Sequence, residues 1–115
     1  MVRKIIFFEN HFIEFYQKQN VKVKGKIQYV FELIKQVERV PEKFLKHLVG
    51  TNGLYEIRIE YQSNIYRIFC CFDKDKLVVL FNGFHKKTQK IPKKEIEKAE
   101  KLMKLYFEQK DLRNE

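Results

Sequence analysis

The sequence predicts an α+β fold in which an N-terminal strand and two helices are followed by an antiparallel β-meander and a C-terminal helix. Three observations predict this class. Apolar residues recur at helical spacing near both ends of the chain, three strand-like segments follow one another in its middle, and only short turns separate those segments. A chain of 115 residues is expected to form one domain, residues 1–115, with its own hydrophobic core.

The N-terminal part predicts one strand and two helices. Residues 2–8 are mostly β-branched and aromatic, which is typical of a strand, and Asn10 suits the N-cap of a short helix after it. A break or bend is expected at residues 20–25. Apolar residues at three- and four-residue spacing then predict an amphipathic helix that ends before Pro41. These apolar residues are Ile27, Val30, Phe31, Ile34 and Val37.

The middle of the chain predicts three strands joined by hairpins. Residues 41–50 are expected to form a connector with a turn of helix, and residues 51–53 a turn. Strands are predicted at residues 55–61, 65–72 and 77–81, and the first of them alternates apolar and polar residues as a half-buried strand does. Short turns between the strands make them an antiparallel meander. The turns are residues 62–64 and 73–76.

The last segment predicts a helix. Pro92 suits its first turn, because a proline there loses no helical hydrogen bond. One side of the helix is apolar, and lysines and glutamates fill the other side. The polar tail from Gln109 is expected to fray. The apolar residues are Ile96, Ala99, Leu102, Met103, Tyr106 and Phe107.

The charge of the chain predicts an anionic partner. The formal net charge is +9 and the sequence pI is about 9.5. Nucleic acid, the ribosome, an anionic membrane and an acidic protein are the classes of partner that such a charge favours. A basic composition can also serve solubility alone, so the charge needs the support of a defined site.

Several kinds of chemistry have no signature in the sequence. It lacks zinc-ligand spacing, a glycine-rich phosphate loop, a serine nucleophile motif and clustered acids, so we expect no metal and no cofactor. We also expect no signal peptide, and no segment approaches the roughly 20 apolar residues of a membrane span. Adjacent Cys70 and Cys71 point to opposite faces of a strand, which predicts core thiols in a reducing cytoplasm rather than a disulfide.

Basic residues converge if the three strands pair as predicted. Arg58 and Arg67 lie on consecutive strands, and His85 with several lysines follows Gly83. A surface that holds Arg, Lys and His with few acids suits a phosphodiester and the negative charge that develops on it. The lysines in this run, which we expect to bind phosphates, are Lys86, Lys87, Lys90, Lys93 and Lys94.

Each of these residues also has a simpler interpretation. Arg58 fits a solvated strand charge paired with an acid on the neighbouring strand. Arg67 has apolar neighbours, so it is either partly buried with a partner or faces a functional groove. The lysines fit a solvated loop. A single histidine is more often structural than catalytic, although His85 can exchange protons near neutral pH.

Four segments, in this order and spacing, resemble the RelE/ParE superfamily of toxins from type II toxin–antitoxin systems, and in particular its HigB-like, phage-derived branch. The resemblance covers nearly the whole chain. The segments are Leu-Tyr-Glu-Ile-Arg at residues 54–58, Tyr-Arg-Ile-Phe at 66–69, Gly-Phe-His-Lys-Lys-Thr-Gln-Lys at 83–90 and Pro-Lys-Lys-Glu-Ile-Glu-Lys-Ala at 92–99.

The resemblance implies a RelE-like fold and an endoribonuclease that cuts mRNA without metal, in many relatives at the ribosomal A site. Arg58 and Arg67 match the family's basic strand pair, and Lys87 matches its basic residue after the last strand. We expect these three to stabilise charge on the scissile phosphate, with Arg67 as the bidentate contact. His85 is expected to act as acid or base, with a lysine as its rival. Glu56 and the long C-terminal helix depart from the best-known RelE pattern and leave that assignment open.

The implied partners are mRNA, the ribosome and a cognate antitoxin. The antitoxin is expected to be a helix-turn-helix protein that blocks or distorts the basic surface within a hetero-oligomeric complex, and no membrane is involved. Two other functions stay open from the sequence. One is a ParE-like poison of DNA gyrase, for which the basic site would be dispensable. The other is an inactive relative that only binds within an antitoxin complex on DNA.

Overall fold

The computed structural model describes residues 1–86 and 90–113, apart from the side chain of Lys86. Eight elements follow one another in chain order. They are β1 (Lys4–Phe7), α1 (His11–Gln17), α2 (Val21–Gln36), β2 (Leu45–His47), β3 (Tyr55–Tyr61), β4 (Asn64–Asp73), β5 (Leu77–Lys86) and α3 (Lys93–Arg113).

The strands form one mixed five-stranded sheet in the order β1-β5-β4-β3-β2. β3, β4 and β5 pair antiparallel as consecutive neighbours, so the predicted meander is confirmed. β1 lies parallel to β5 at one edge, and β2 lies antiparallel to β3 at the other. The predicted α+β class, with an N-terminal strand, two helices, a meander and a final helix, is therefore correct.

The connector between α2 and β3 differs from the prediction. Phe44 and Leu45 donate backbone hydrogen bonds to the carbonyl of Pro41, which makes a turn there. The bond from Leu45 to Pro41 closes one turn of helix, as predicted, and the chain then pairs as β2 with β3, a strand that was not predicted. The exposed edge of β3 offers backbone donors and acceptors to residues 45–47, and this pairing satisfies groups that a loop would leave to water.

Three boundaries also differ from the prediction. β1 is shorter than residues 2–8. The expected break at residues 20–25 is present but lies at residues 18–20, because the Asn20 side chain accepts a hydrogen bond from the Val23 backbone and starts α2 at Val21. β5 continues to Lys86 instead of ending at residue 81. This extension places Gly83, Phe84 and His85 inside the strand.

The sheet is covered on both faces. α1 and α2 pack on one face, here called the α1/α2 face, over buried residues that include Ile27, Ile57 and Ile68. α3 packs on the opposite face, here called the α3 face, over residues that include Phe69 and Leu102. Alternate residues of the central strands thus enter two separate hydrophobic clusters. No helix in the described ranges is long and apolar enough to cross a membrane.

Gly83 allows α1 to lie close against β5. A Cβ atom at this position would be 2.7 Å from Cδ2 of Phe15, inside contact distance. The ring of Phe15, itself buried, fills the space that a side chain on β5 would need. The glycine is therefore required by helix–strand packing just before the last residues of β5.

Candidate functional site

The two arginines predicted from the strands lie side by side. The register of β3 and β4 places Arg58 directly opposite Arg67. Residues that face each other across an antiparallel pair project on the same side, so both side chains lie on the α3 face. Like charges in such a pair repel each other, and two carboxylates of β3 on the same face, Glu56 and Glu60, neutralise them.

Arg67 is buried and ion-paired. Its side chain is 7% exposed and its Nη1 donates a hydrogen bond to Oε1 of Glu56, whose side chain is 5% exposed. Glu56 lies two residues before Arg58, so it is the diagonal neighbour of Arg67 in the β3–β4 ladder. Of the two alternatives for Arg67, burial with a partner is the one that the structure shows.

Arg58 remains accessible to a ligand. Its side chain is 35% exposed, and its Nη2 lies 3.2 Å from Oε1 of Glu60, which is itself 65% exposed. The acid is on the same strand as Arg58, whereas the simpler interpretation placed it on the neighbouring strand. An exposed pair of this kind contributes under about 1 kcal/mol, so a polyanion can displace Glu60 at little cost.

Three buried polar atoms at this position lack a hydrogen-bond partner among the described residues. They are Oε2 of Glu56, Nε of Arg58 and Nε of Arg67. Buried donors and acceptors are nearly always satisfied in folded proteins, so a group of three such atoms marks a place where a ligand or water completes the network. The arginine pair is therefore one place in the sheet that offers unused hydrogen-bonding groups to a ligand.

His85 does not join the arginines. It lies opposite Tyr66 on the α1/α2 face, with the two rings stacked at 4.5 Å, and its Nε2 lies 3.0 Å from Oδ1 of Asn64. Phe84 occupies the position opposite Arg67 instead. The expectation that one surface holds Arg58, Arg67 and His85 is thus correct for the arginines and wrong for the histidine.

A bulge explains the position of His85. The β4–β5 register shifts between Ile68 and Cys70, which inserts one extra residue into β5. Strict alternation from Phe81, which enters the cluster under α3, would have put His85 on the α3 face as well. The extra residue reverses the alternation, as β-bulges do, and turns His85 to the other side.

The predicted phosphate-binding lysines have different positions. The backbone of Lys86 pairs with Ile65 at the end of β5. Lys87 lies outside the described residues. Lys90, Lys93 and Lys94 are exposed, and the last two open α3. The described lysines therefore lie at the end of β5, just before α3 and in its first turn.

A second polar cluster lies six residues farther along β4. The Asp73 carboxylate accepts hydrogen bonds of 2.7 Å from the Tyr106 hydroxyl and from the Lys110 ammonium group. Burial raises the pKa of Asp73, but the two hydrogen bonds outweigh burial and hold that pKa below its usual value. Burial, and then the hydrogen bond to Asp73, raise the pKa of Tyr106 to about 12. The cluster ties the C-terminal half of α3 to the sheet.

Two other predicted features can be compared with the structure. Cys70 and Cys71 are free and buried, so the prediction of core thiols is confirmed. Burial raises the pKa of the Cys70 thiol well above its usual value and that of Cys71 to about 12, which makes both poor nucleophiles. Within the described ranges, no three His, Cys, Asp or Glu side chains are grouped as metal ligands.

Sequence reasoning missed the role of Glu56. The residue was noted as a departure from a family pattern, but not as the partner of Arg67. A signal was present, because a two-residue turn at Gln62 and Ser63 fixes the pairing of Arg58 with Arg67 and makes Glu56 the diagonal neighbour. The turn was located only to residues 62–64, which did not define the register.

Comparisons with known proteins agree with this architecture. The family model described as "Phage derived protein Gp49-like (DUF891)" matches residues 14–104. A chain of the RelB–RelE antitoxin–toxin complex from Methanococcus jannaschii is similar at 17% identity and a TM-score of 0.53, over 70% of this chain and 88% of that one. A chain of the archaeal RelE–RelB complex from Pyrococcus horikoshii OT3 is similar at 22% identity and a TM-score of 0.53, over 74% and 96%. No curated protein sequence matches the chain significantly.

Proposed function

This chain belongs to the Gp49-like family of phage-derived proteins, a RelE/HigB-type family, and from that premise we propose that it is the toxin of a type II toxin–antitoxin system and acts by cutting mRNA. The observation that carries the proposal is the arginine pair. Arg58 and Arg67 lie opposite each other on one sheet face, and three buried polar atoms around them lack a hydrogen-bond partner among residues 1–86 and 90–113.

The proposed reaction needs a cationic site rather than a nucleophile from the protein. The ribose 2′-oxygen attacks the adjacent phosphorus as its proton leaves, and the bond from phosphorus to the 5′-oxygen breaks as that oxygen takes up a proton. The products are a 2′,3′-cyclic phosphate and a free 5′-hydroxyl. Negative charge grows on the non-bridging oxygens in the transition state, and fixed guanidinium donors stabilise it there more than in the ground state.

The two arginines have different proposed tasks. Arg58 is the accessible cation, so it contacts the scissile phosphate directly after the phosphate displaces Glu60. Arg67 lies deeper and donates from the guanidinium nitrogens that Glu56 does not occupy. Glu56 holds the Arg67 guanidinium in one orientation. Preorganised donors of this kind need no rearrangement at the moment of reaction.

Proton transfer is better assigned to a lysine than to His85. His85 lies on the opposite sheet face and is stacked on Tyr66, so it reaches the arginine pair only around the end of β5. The lysine run follows directly on that end of the strand. We therefore keep Lys87 as the proposed charge-stabilising or proton-transferring residue, and Lys86, Lys90, Lys93 and Lys94 as contacts to the RNA backbone.

The proposed setting is the ribosome in the cytoplasm, with a cognate antitoxin as the regulating partner. The two similar structures are RelE–RelB complexes, which supports a protein antitoxin. A helix-turn-helix antitoxin with acidic segments would suit a chain of net charge +9 and would form a hetero-oligomer with it.

Primer extension on a defined mRNA tests the proposal. The purified protein is incubated in EDTA with the mRNA alone and with the mRNA on translating ribosomes. We expect discrete cuts that require ribosomes and that leave a 2′,3′-cyclic phosphate on the upstream fragment. The matched negative control is the double variant Glu56→Leu with Arg67→Met, which removes both members of the buried pair and keeps an apolar interior.

Each outcome of that experiment decides one part of the proposal. Cuts on free RNA would retain the nuclease and remove the ribosome from it. Full cutting by the folded double variant would refute the roles of Arg67 and Glu56 in the reaction. A protein that arrests growth but cuts no RNA would instead point to another target, such as DNA gyrase.

A further inference from the structure

A basic face of α2 lies on the side of the molecule that the proposed cleavage site does not use. Between Glu14 and Glu32 the chain has no acidic residue. On α2, Lys22 is followed three, four and seven residues later by Gly25, Lys26 and Tyr29, so the four share one side of the helix, here called the lysine–glycine face. The opposite side packs into the core.

The lysine–glycine face is presented to solvent. Lys22 and Gly25 are exposed, Lys26 is half-buried, and Tyr29 is 54% exposed although it is aromatic. The Nζ of Lys26 lies 5.4 Å from the centre of the Tyr29 ring. Lys22 forms no ion pair with any residue in the described part of the chain. An unpaired cation and an exposed ring on one helix side are available to a partner.

The lysines occupy an unfavourable place in the helix. Lys22 and Lys24 fall in the first turn of α2, which contains no acidic residue. The N-terminus of a helix carries partial positive charge, so cations there oppose the helix dipole and acids would stabilise it. Lys24 has an internal contact, since its Nζ lies 5.4 Å from the centre of the Tyr16 ring, but Lys22 has no ion pair among the described residues to offset this cost. Binding of a polyanion would offset it.

Gly25 is a second and independent indication that this side of α2 binds a partner. Glycine weakens a helix interior relative to alanine, and this glycine has no internal reason to be small, because a Cβ atom built on it would meet nothing within 4 Å. It lies between Lys22 and Tyr29 on the exposed side. The absence of a side chain leaves a notch in the helix surface, through which a partner can approach the backbone closely.

We propose that the lysine–glycine face binds the phosphate backbone of double-helical RNA, as a docking surface separate from the cleavage site. Lys22 and Lys26 contact phosphates, the backbone enters the notch at Gly25, and Tyr29 packs against the sugar edge. An RNA partner fits better than a protein partner, since lysine is depleted from protein–protein interfaces and phosphates are its usual ligands.

The two surfaces can act at the same time. α2 packs on the α1/α2 face of the sheet, whereas Arg58 and Arg67 lie on the α3 face. A structured RNA held at α2 therefore leaves the arginine pair open to a single strand. The inference does not rest on the proposed cleavage, since a protein that binds RNA through α2 and cuts nothing would refute only the nuclease.

Fluorescence anisotropy with a labelled 20-base-pair 2′-O-methyl RNA duplex tests the proposal. This probe keeps the phosphate backbone and cannot be cut by attack of a 2′-hydroxyl. Wild-type protein is compared with Lys22→Gln/Lys26→Gln over a series of KCl concentrations. We expect the double variant to bind about tenfold more weakly and to lose about two units from the slope of log affinity against log salt.

Two further variants make the test specific. Lys101→Gln/Lys104→Gln on the exposed side of α3 changes the net charge equally and should retain most of the affinity and the full slope. Gly25→Ala should raise the melting temperature and still weaken RNA binding several-fold, a combination that a purely structural glycine would not give.

Two results would overturn the proposal. One is a Lys22→Gln/Lys26→Gln variant that loses no more affinity for the RNA duplex than the α3 control does. This includes a variant that binds the duplex normally and loses only the binding of an acidic protein. The other is a Gly25→Ala variant that is more stable and binds the duplex as tightly as wild type.

Discussion

Arg67 holds its charge inside the sheet, and Glu56 is the carboxylate that balances it. Removing one partner of a buried ion pair leaves the other charge without compensation, which is more costly than never having had the pair. We predict that Glu56→Gln lowers the free energy of unfolding by about 3 kcal/mol in urea titrations, because the amide cannot neutralise Arg67.

Glu60→Gln is the matched control for that prediction. The same substitution on the same strand affects the exposed Arg58–Glu60 pair, so we expect a loss under about 1 kcal/mol. Equal losses for the two variants would show that the Glu56–Arg67 pair is not buried as described.

The Asp73 carboxylate, in the cluster with Tyr106 and Lys110, should make the stability of the protein depend on pH. Its pKa is lower in the folded protein than the ordinary value of 3.8, owing to hydrogen bonds from Lys110 and Tyr106 that outweigh its burial. A carboxyl whose pKa falls on folding stabilises the protein above its unfolded pKa, and this contribution is lost as the pH drops through the folded pKa. Wild type should therefore be more stable than Asp73→Asn at pH 5 to 7, and the difference should shrink below about pH 4.

Urea titrations of the two proteins at pH 7, 5, 4 and 3 measure that difference. Asp75→Asn in the same turn is the control, because this exposed residue should show no comparable change. A difference between wild type and Asp73→Asn that stays constant down to pH 3 would contradict the hydrogen-bonded carboxylate.

For a single residue, the sequence predicts what its side chain requires but not which residue meets that requirement. An arginine among apolar neighbours needs a partner, and that inference was correct for Arg67. The identity of the partner depends on the strand register, and the register depends on a turn of two residues with positive φ, Gln62 and Ser63. Neither is glycine or asparagine, so the usual sequence signal of such a turn is missing.

The elements of the fold explain why the site was predicted only in part. Apolar periodicity indicated the helices and the three strands of the meander, and all of them are present. The bulge in β5 leaves no mark in the apolar periodicity of the sequence, yet it determines on which face of the sheet His85 lies. β2 was missed for a similar reason, since three residues are too few to show an alternation.

Gly83 is the position where helix and strand packing can be tested. A Cβ atom would be 2.7 Å from Cδ2 of the buried Phe15 ring, so that ring or α1 must shift. We predict that Gly83→Ala lowers the free energy of unfolding by about 2 kcal/mol, as overpacking of a filled interior does. Thermal and urea denaturation measure this loss.

A second-site variant shows whether packing is the cause. Phe15→Ala removes the ring atoms closest to the new methyl group, so the double variant with Gly83→Ala should lose less stability than the two single losses added together. Strict additivity would assign the effect of Gly83→Ala to the strand backbone instead.

The whole molecule combines a family fold with basic residues on both sides of the sheet. The resemblance to the HigB-like, phage-derived branch, first inferred from four short segments, is confirmed by the match to the Gp49-like family over residues 14–104. The arginine pair lies on one side, and the lysine–glycine face on the other. The net charge of +9 is thus explained by two separate RNA contacts in the proposed account.

The most direct test of the account is the single-turnover rate of mRNA cleavage on ribosomes by Arg58→Gln. Arg58 is partly exposed, so the variant should fold, and Arg113→Gln at the exposed end of α3 is the matched control. We predict that Arg58→Gln cuts at least about a hundredfold more slowly than wild type, while Arg113→Gln cuts at the wild-type rate. A rate for Arg58→Gln within about twofold of wild type, from a folded protein, would contradict the arginine pair as the cleavage site.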